Sequence, residues 1–145
     1  MYNVKESLIT NTPRLQTPCT LITMTASTTF KAAVLVNSIS ALDDAFSAAF
    51  QERISCACPS AQVDFFDPIE AQIYPEPAQY DLIVLSGGSA DATAKDVPWV
   101  LNMQEFLRTT VAKYPTQKIV GICWGHQVIQ VTFGGVVGPM DNFEV

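Results

Sequence analysis

A chain of 145 residues with 48% hydrophobic side chains has the length and apolar content of one packed domain. Its formal net charge of −6, from 8 basic and 14 acidic residues, argues against a surface for nucleic acids or anionic membranes. No run approaches the roughly 18 consecutive apolar residues of a membrane-spanning helix. We therefore expect a soluble protein with no nucleic-acid and no membrane partner.

The first 29 residues are rich in Thr, Ser, Asn and Pro and show the period of neither a strand nor a helix. Their only basic residues are Lys5 and Arg14, which makes the segment a poor transit peptide. We expect residues 1–29 to be a disordered or peripheral extension and residues 30–145 to form the ordered domain. Met24 lies just before the first strand-like run and offers an alternative start.

The ordered domain opens with a strand, a helix and a second strand. Residues 31–37, KAAVLVN, form an apolar run typical of a parallel strand covered on both faces. Ser40 is the predicted N-cap of the helix, with Asp43 and Asp44 in its first turn. Residues 63–67 then predict the second strand, and three prolines after it disfavour a long helix. The apolar positions expected to bury one face of the helix are Leu42, Ala45, Phe46, Ala49, Phe50 and Ile54.

Residues 80–89, YDLIVLSGGS, repeat the pattern of an apolar strand that runs into glycine. The consequence is a loop at the carboxyl end of a strand, where open α/β sheets bind their ligands. Gly87 and Gly88 also suit an ordinary turn with positive φ, so both interpretations stand at this point.

Asp96 is the predicted N-cap of the next helix, with Pro98 in the first turn and Pro115 beyond the end. Its predicted core stripe is Val100, Met103, Leu107 and Val111.

Residues 118–135, KIVGICWGHQVIQVTFGG, predict a strand, a sharp turn at Cys123 and a helix closed by two glycines. Gly121 and Gly125 flank Cys123 at the spacing of a nucleophile elbow, in which small neighbours let backbone and helix approach closely. Free N–H groups at the start of the helix favour a thiolate over a thiol. The alternative is a buried cysteine in a strand-to-helix turn. Residues 136–137 predict a short strand beyond the helix.

Strands that alternate with helices predict an α/β fold, a three-layer, doubly wound and mostly parallel sheet. Neither a Walker motif nor G-x-G-x-x-G follows any strand, so we expect no nucleotide and no other cofactor. Cys56 and Cys58 form a C-x-C without a second pair or a histidine cluster, so we expect no metal. The scattered cysteines favour a reducing compartment, and hence the cytoplasm, over a secreted disulfide framework.

Residues 121–127, GICWGHQ, resemble the G-x-C-x-G-H-Q nucleophile motif of the class I glutamine amidotransferases. The resemblance covers residues 31–145 and the amino-terminal two thirds of a family domain, and it implies a flavodoxin-like fold. It implies that Cys123 is the catalytic nucleophile and that Gln127 shapes the glutamine pocket. The remaining implied roles are oxyanion-hole N–H groups from Gly87, Gly88 and Trp124, and structural roles for Gly121, Gly125 and His126.

The resemblance further implies hydrolysis of a γ-glutamyl amide through a thioester, with glutamine or another γ-glutamyl compound as substrate. A transferase would also need an ammonia acceptor, supplied by a synthetase or other biosynthetic partner protein. The family's downstream H-x-E pair has no counterpart here, because His126 is the single histidine and Glu144 has no histidine beside it. Three hypotheses stay open: an amidotransferase-like protein with impaired catalysis, a γ-glutamyl peptidase acting on glutathione-type conjugates, and a catalytically silent binding or regulatory domain.

Overall fold

A computed structural model describes residues 29–38 and 44–138 of the chain. These residues form four strands, three α-helices and one 3₁₀ turn, which alternate along the chain as predicted. In chain order the elements are β1 (Lys31–Leu35), α1 (Asp44–Ala57), β2 (Gln62–Phe66), the 3₁₀ turn (Pro77–Gln79), β3 (Leu82–Leu85), α2 (Pro98–Lys113), β4 (Lys118–Gly121) and α3 (Trp124–Thr132).

The strands form one parallel sheet in the order β2-β1-β3-β4, which confirms the predicted α/β class. Leu35 pairs with Leu85, and Leu85 pairs with Gly121, so β1, β3 and β4 end at the same level. Two further hydrogen bonds extend the ladder past these ends, from Ser86 N to Leu35 O at 3.0 Å and from Ile122 N to Leu85 O at 2.9 Å. The residues that follow the three strands therefore meet at one edge of the sheet, where doubly wound folds place their ligands.

The main core lies between one face of the sheet and the helices α2 and α3. Alternate residues of β1 and β3 supply the sheet side of this core, as the period of a strand requires. Complete burial of an aliphatic or aromatic side chain contributes about 1.5–3 kcal/mol, so this layer supplies much of the stability. The buried members are Ala33, Leu35, Ile83, Leu85, Ala92, Val100, Met103, Leu107, Trp124 and Val128.

The opposite face of the sheet is covered less completely. Helix α1 packs against β2 and borders an apolar groove over β3 and β4, so Val120 stays 48% exposed. The predicted burial of one face of α1 is therefore only partly correct, because the helix covers β2 and leaves Val120 on β4 exposed. Phe46, Phe50 and Ile54 are half-buried, and the alanines at positions 45 and 49 are exposed.

Other predicted details of the helices also need correction. The N-cap of α2 is Val97 without a side-chain cap bond, not Asp96, while Pro98 does take the first turn. The core stripe of α2 ends in buried Thr110 rather than in Val111, which is 40% exposed. At 100° per residue, position 111 lies nearer the centre of the stripe than position 110, so the helical period alone does not explain this exchange.

The carboxyl-terminal prediction of a strand at residues 136–137 is wrong, since Val136 is 96% exposed and pairs with no described strand. Ser40 and Asp43, the predicted capping residues of α1, lie outside the described residues. So do Leu42, Glu144 and residues 1–28. In the part of the chain that the structure describes, every helix is too short or too polar to cross a bilayer.

Two tyrosines of this fold have raised pKa values. Burial raises the pKa of Tyr74 to about 12. Burial, together with a 2.8 Å hydrogen bond from its hydroxyl to Asp64 on β2, raises the pKa of Tyr80 to about 12. The ring of Tyr80 also contacts that of Phe66 edge-on, with centroids 5.8 Å apart.

We expect the free energy of unfolding to fall as the pH rises from about 10 to about 12. The unfolded chain loses these phenolic protons first, so it binds fewer protons than the folded chain in this window, and raising the pH favours unfolding. Urea unfolding across this range measures the decline. The double variant Tyr74→Phe with Tyr80→Phe should show a shallower decline, and an unchanged slope would contradict the assignment.

Candidate active site

Cys123 occupies the sharp turn between β4 and α3. Its backbone has φ 51° and ψ −109°, a conformation that residues other than glycine rarely adopt and that costs about 1–3 kcal/mol. The residue is the N-cap of α3, its side chain is exposed, and its sulfur makes no capping hydrogen bond. The structure therefore has the predicted order of strand, turn and helix, and the strain lies at the cysteine itself.

The flanking glycines let the helix lie directly on the sheet. A Cβ atom on Gly121 would overlap the carbonyl group of Gly125 and the backbone nitrogen of His126. A Cβ atom on Gly125 would overlap the backbone carbonyl of Leu85 on β3. Both positions need glycine because of close backbone approach, and neither has a positive φ.

The loop after β3 lies against this turn. A Cβ atom placed on Gly87 would be 3.6 Å from Cys123 Cβ and 3.9 Å from Ile122 O, so the loop and the cysteine are neighbours. No acceptor among the described residues takes a hydrogen bond from the backbone N–H of Gly87, Gly88 or Trp124. Gly87 lies beside Cys123 in space and Trp124 follows it in sequence, so the predicted role of these N–H groups as oxyanion donors stays a prediction.

Trp124 anchors the first turn of α3 in the core. It is 1% exposed, and its indole lies on that of Trp99 from α2, with centroids 4.8 Å apart. Within the described part of the chain the indole Nε1 has no hydrogen-bond partner, so its contact with Trp99 is one of packing. A backbone N–H at this residue is therefore held in a fixed position one residue after the cysteine.

Gln127 and His126 follow on the same helix. The N–H of Gln127 donates to Cys123 O at 3.1 Å, and its side chain is half-buried. His126 is exposed, and its backbone nitrogen lies against Gly121. The roles predicted for the side chains of His126 and Gln127 both stay predictions.

Two polar residues that the sequence did not single out complete the site. Asn37 and Ser86 follow β1 and β3 and are 1% and 0% exposed. The backbone N–H of Asn37 donates to Ser86 Oγ at 2.8 Å, and Asn37 Nδ2 donates to Ser86 O at 3.0 Å. A polar residue within two positions of the end of each of two buried strands is the signal that could have found them.

The loop beyond Gly88 carries Asp91, which is exposed. Hydrogen bonds from the hydroxyl and the backbone N–H of Thr93 lower the pKa of the Asp91 carboxyl. Its Oδ1 therefore serves a local turn. Within the described residues, no group of three or more His, Cys, Asp or Glu side chains is arranged to hold a metal ion.

Comparison with known proteins identifies the family of this chain. The sequence profile of the family "Glutamine amidotransferase class-I" matches residues 41–145. The chain belongs to this family. The glutamine amidotransferase-like protein chyE of Penicillium rubens is 42% identical over 96 residues, which are 66% of this chain and 40% of chyE. The glutamine amidotransferase-like protein chry6 of Gibberella zeae is 34% identical over 125 residues, 83% of this chain and 51% of chry6.

This class I glutamine amidotransferase-like chain thus spans about half the length, or less, of these curated relatives. A more distant relative, gamma-glutamyl peptidase 3 of Arabidopsis thaliana, is 34% identical over 79 residues, 53% of this chain and 30% of the peptidase. Among solved structures, a glutamine amidotransferase from Thermotoga maritima superposes with a TM-score of 0.57 at 18% identity, over 74% of this chain and 44% of that one. This likeness confirms the family's α/β fold.

The close approach of α3 to β3 predicts the effect of Gly125→Val. The new side chain would overlap the Leu85 backbone, so the variant should lose at least about 1–3 kcal/mol of stability. Thermal unfolding measures the loss. Gly138→Val is the matched control, because nothing lies within 4 Å of a Cβ atom at that position. Equal melting temperatures for the two variants would contradict the close packing.

Cys123 should also be the fastest of the described cysteines to react with iodoacetamide. It is exposed at the N-terminus of α3, whereas Cys56 lies within α1 and Cys58 is half-buried. Peptide mapping after brief alkylation at neutral pH measures the order of labelling. Faster labelling of Cys56 or Cys58 would mean that the turn does not present its sulfur as proposed.

Proposed function

We propose that this chain carries the nucleophile half of a glutaminase site, with Cys123 attacking the side-chain amide of glutamine. The observation that carries the proposal is the position of Cys123 on a strained, exposed turn beside the Gly87–Gly88 loop. A nucleophile held in this way is clear of the sheet and reachable by a substrate at the sheet edge.

The proposed reaction begins with a bond from the Cys123 sulfur to the amide carbon. The electron pair of the C=O double bond moves to oxygen, and the backbone N–H groups of Gly87 or Gly88 and of Trp124 stabilise that negative oxygen. When the tetrahedral intermediate collapses, the C–N bond breaks and ammonia leaves with a proton from a general acid. Water then hydrolyses the γ-glutamyl thioester to glutamate and restores the thiol.

Two further residues of the motif are assigned by the family resemblance. We assign the Gln127 side chain to the wall of the glutamine pocket, since it is half-buried on the first turn of α3. We assign His126 a structural role, since its exposed ring lies on a helix that leads away from Cys123. The ammonia would pass to an acceptor on a synthetase or other biosynthetic partner, in a reducing compartment such as the cytoplasm that keeps the thiol reactive.

The 145 residues contain one histidine and no H-x-E sequence, so the proposed site lacks the family's general acid and base. Acid–base assistance is typically worth roughly 10²–10⁴-fold in rate. We therefore expect residues 1–145 alone to release ammonia from glutamine far more slowly than about 1 s⁻¹, which is the low end of the usual range of kcat values.

An activated ester tests the nucleophile independently of the missing general acid. The p-nitrophenyl ester of the γ-carboxyl group of glutamate has a leaving group that departs as an anion and needs no proton. Residues 1–145 should release one nitrophenolate per Cys123 in a rapid burst, and a slow steady rate should follow because the thioester has no base to hydrolyse it. Stopped-flow absorbance measures the burst, and mass spectrometry detects the γ-glutamyl adduct on Cys123.

The matched control is Cys123→Ala, which should show no burst, while Cys58→Ala should behave as the unmodified chain. Absence of a burst from the unmodified chain would contradict the proposed nucleophile and favour a catalytically silent binding domain. Rapid turnover of glutamine that requires Cys123 would instead show that a residue of this chain acts as the base. The variant His126→Gln would then test whether His126 is that base.

A γ-glutamyl peptidase is the second candidate, favoured by the likeness to the Arabidopsis protein of that name. Both activities use the same attack and differ in the group that leaves, which is ammonia in one and an amino acid or peptide in the other. Protection of Cys123 from iodoacetamide discriminates between them. Stronger protection by S-methylglutathione, which has no free thiol to consume the reagent, than by glutamine would favour the peptidase, and the reverse would favour the amidotransferase.

A further inference from the structure

The end of β1 is joined to the segment that leads into the Gly87–Gly88 loop by a buried polar contact between Asn37 and Ser86. The backbone N–H of Asn37 donates to Ser86 Oγ at 2.8 Å, and its side-chain Nδ2 donates to Ser86 O at 3.0 Å. The hydroxyl of Ser86 donates in turn to Gly87 O at 3.0 Å. We call these two residues the Asn37–Ser86 pair.

The pair also packs on the second glycine of the loop. A Cβ atom on Gly88 would overlap the backbone carbonyl of Asn37, so the loop lies directly on the residue that follows β1. On its other side, Gly87 lies beside Cys123, with 3.6 Å between the place of its Cβ and Cys123 Cβ. The Gly87–Gly88 loop therefore contacts Asn37 through its second glycine and Cys123 through its first.

A gain in stability does not explain why an asparagine occupies position 37. Its Oδ1 is buried and has no hydrogen-bond partner among the residues that the structure describes, and a buried unpaired acceptor costs about 1–3 kcal/mol, comparable to what its two hydrogen bonds contribute. A buried polar contact with so little net effect on stability can still fix one conformation of the loop, because alternative conformations would leave more polar groups unpaired.

We propose that Asn37 is a positioning residue that, through Ser86, sets the backbone N–H groups of Gly87 and Gly88 toward the oxyanion formed at Cys123. This inference rests on the proposed function and deepens it. Asn37 itself touches neither Cys123 nor substrate in this proposal. It acts on the carbonyl of Ser86 and hence on the orientation of the next peptide units.

The test compares two reagents on the same sulfur. Iodoacetamide needs no oxyanion hole, whereas the chloroketone analogue of glutamine places a carbonyl oxygen where the amide oxygen would lie. In Asn37→Asp, assayed at a pH at which the new carboxyl group is ionised, the side chain keeps its shape but cannot donate to Ser86 O. We expect its labelling by the chloroketone to slow by at least about tenfold, because one oxyanion donor is worth that much or more. Its labelling by iodoacetamide should stay within about twofold.

Ser86→Ala provides a second variant, which removes the acceptor of the Asn37 N–H and should give the same selective loss. The matched control is Thr132→Val. It also removes a buried hydroxyl with a hydrogen bond, to Val128 O at the far end of α3, and should change neither rate selectively. A ratio of the two rates that is the same in Asn37→Asp and in Thr132→Val would overturn the positioning role.

A readout without substrate separates this inference from the proposed function. In ¹⁵N-labelled chain, Asn37→Asp should shift the amide resonances of Gly87 and Gly88, while Thr132→Val should not. Unshifted glycine resonances in Asn37→Asp would overturn the inference. If instead the unmodified chain shows no preference for the chloroketone at Cys123 but the glycine resonances shift, the proposed function fails and the positioning of the loop stands.

Discussion

The close packing of α3 on β3 and β4 is the constraint on which the rest of the site depends. Gly121 and Gly125 leave no room for a Cβ atom between the helix and the strands, so the helix axis passes very near the end of the sheet. The chain must then reverse from strand to helix within two residues. Cys123 takes the unfavourable backbone conformation that this reversal demands, and its side chain is turned out of the core as a result.

The same packing determines what lies next to the cysteine. Because Gly125 rests on the Leu85 carbonyl, the start of α3 is fixed relative to the end of β3, and the loop after β3 comes within contact of the turn. Trp124 stabilises this arrangement from the other side through its burial and its contact with Trp99. A helix start, a strand end and a loop thus converge at one edge, and within residues 29–38 and 44–138 no ion pair joins them. In the proposed site, backbone N–H groups would stabilise the negative oxygen.

The sequence was sufficient for the parts of this structure that have a local cause. The apolar run of residues 31–37, the glycines at 87 and 88, and the spacing around Cys123 each predicted an element and its position. The predictions that were wrong concern burial and capping. Asp96 has the chemistry of an N-cap, yet Val97 takes that position, since Pro98 already supplies the first turn. The exposure of α1 depends on how much of the sheet the helix covers, which no pattern within the helix records.

The contact between Asn37 and Ser86 shows why the remainder could not be found locally. The two residues are 49 positions apart and meet only because β1 and β3 pair in parallel with Leu35 opposite Leu85. A shift of that register by one residue would separate their hydrogen-bonding groups and would also turn the core residues of β3 to the other face. The register that buries Ile83 and Leu85 therefore also aligns the loop with the cysteine. Hydrophobic burial, which contributes most to the stability of the fold, determines the geometry of a polar site that itself adds little stability.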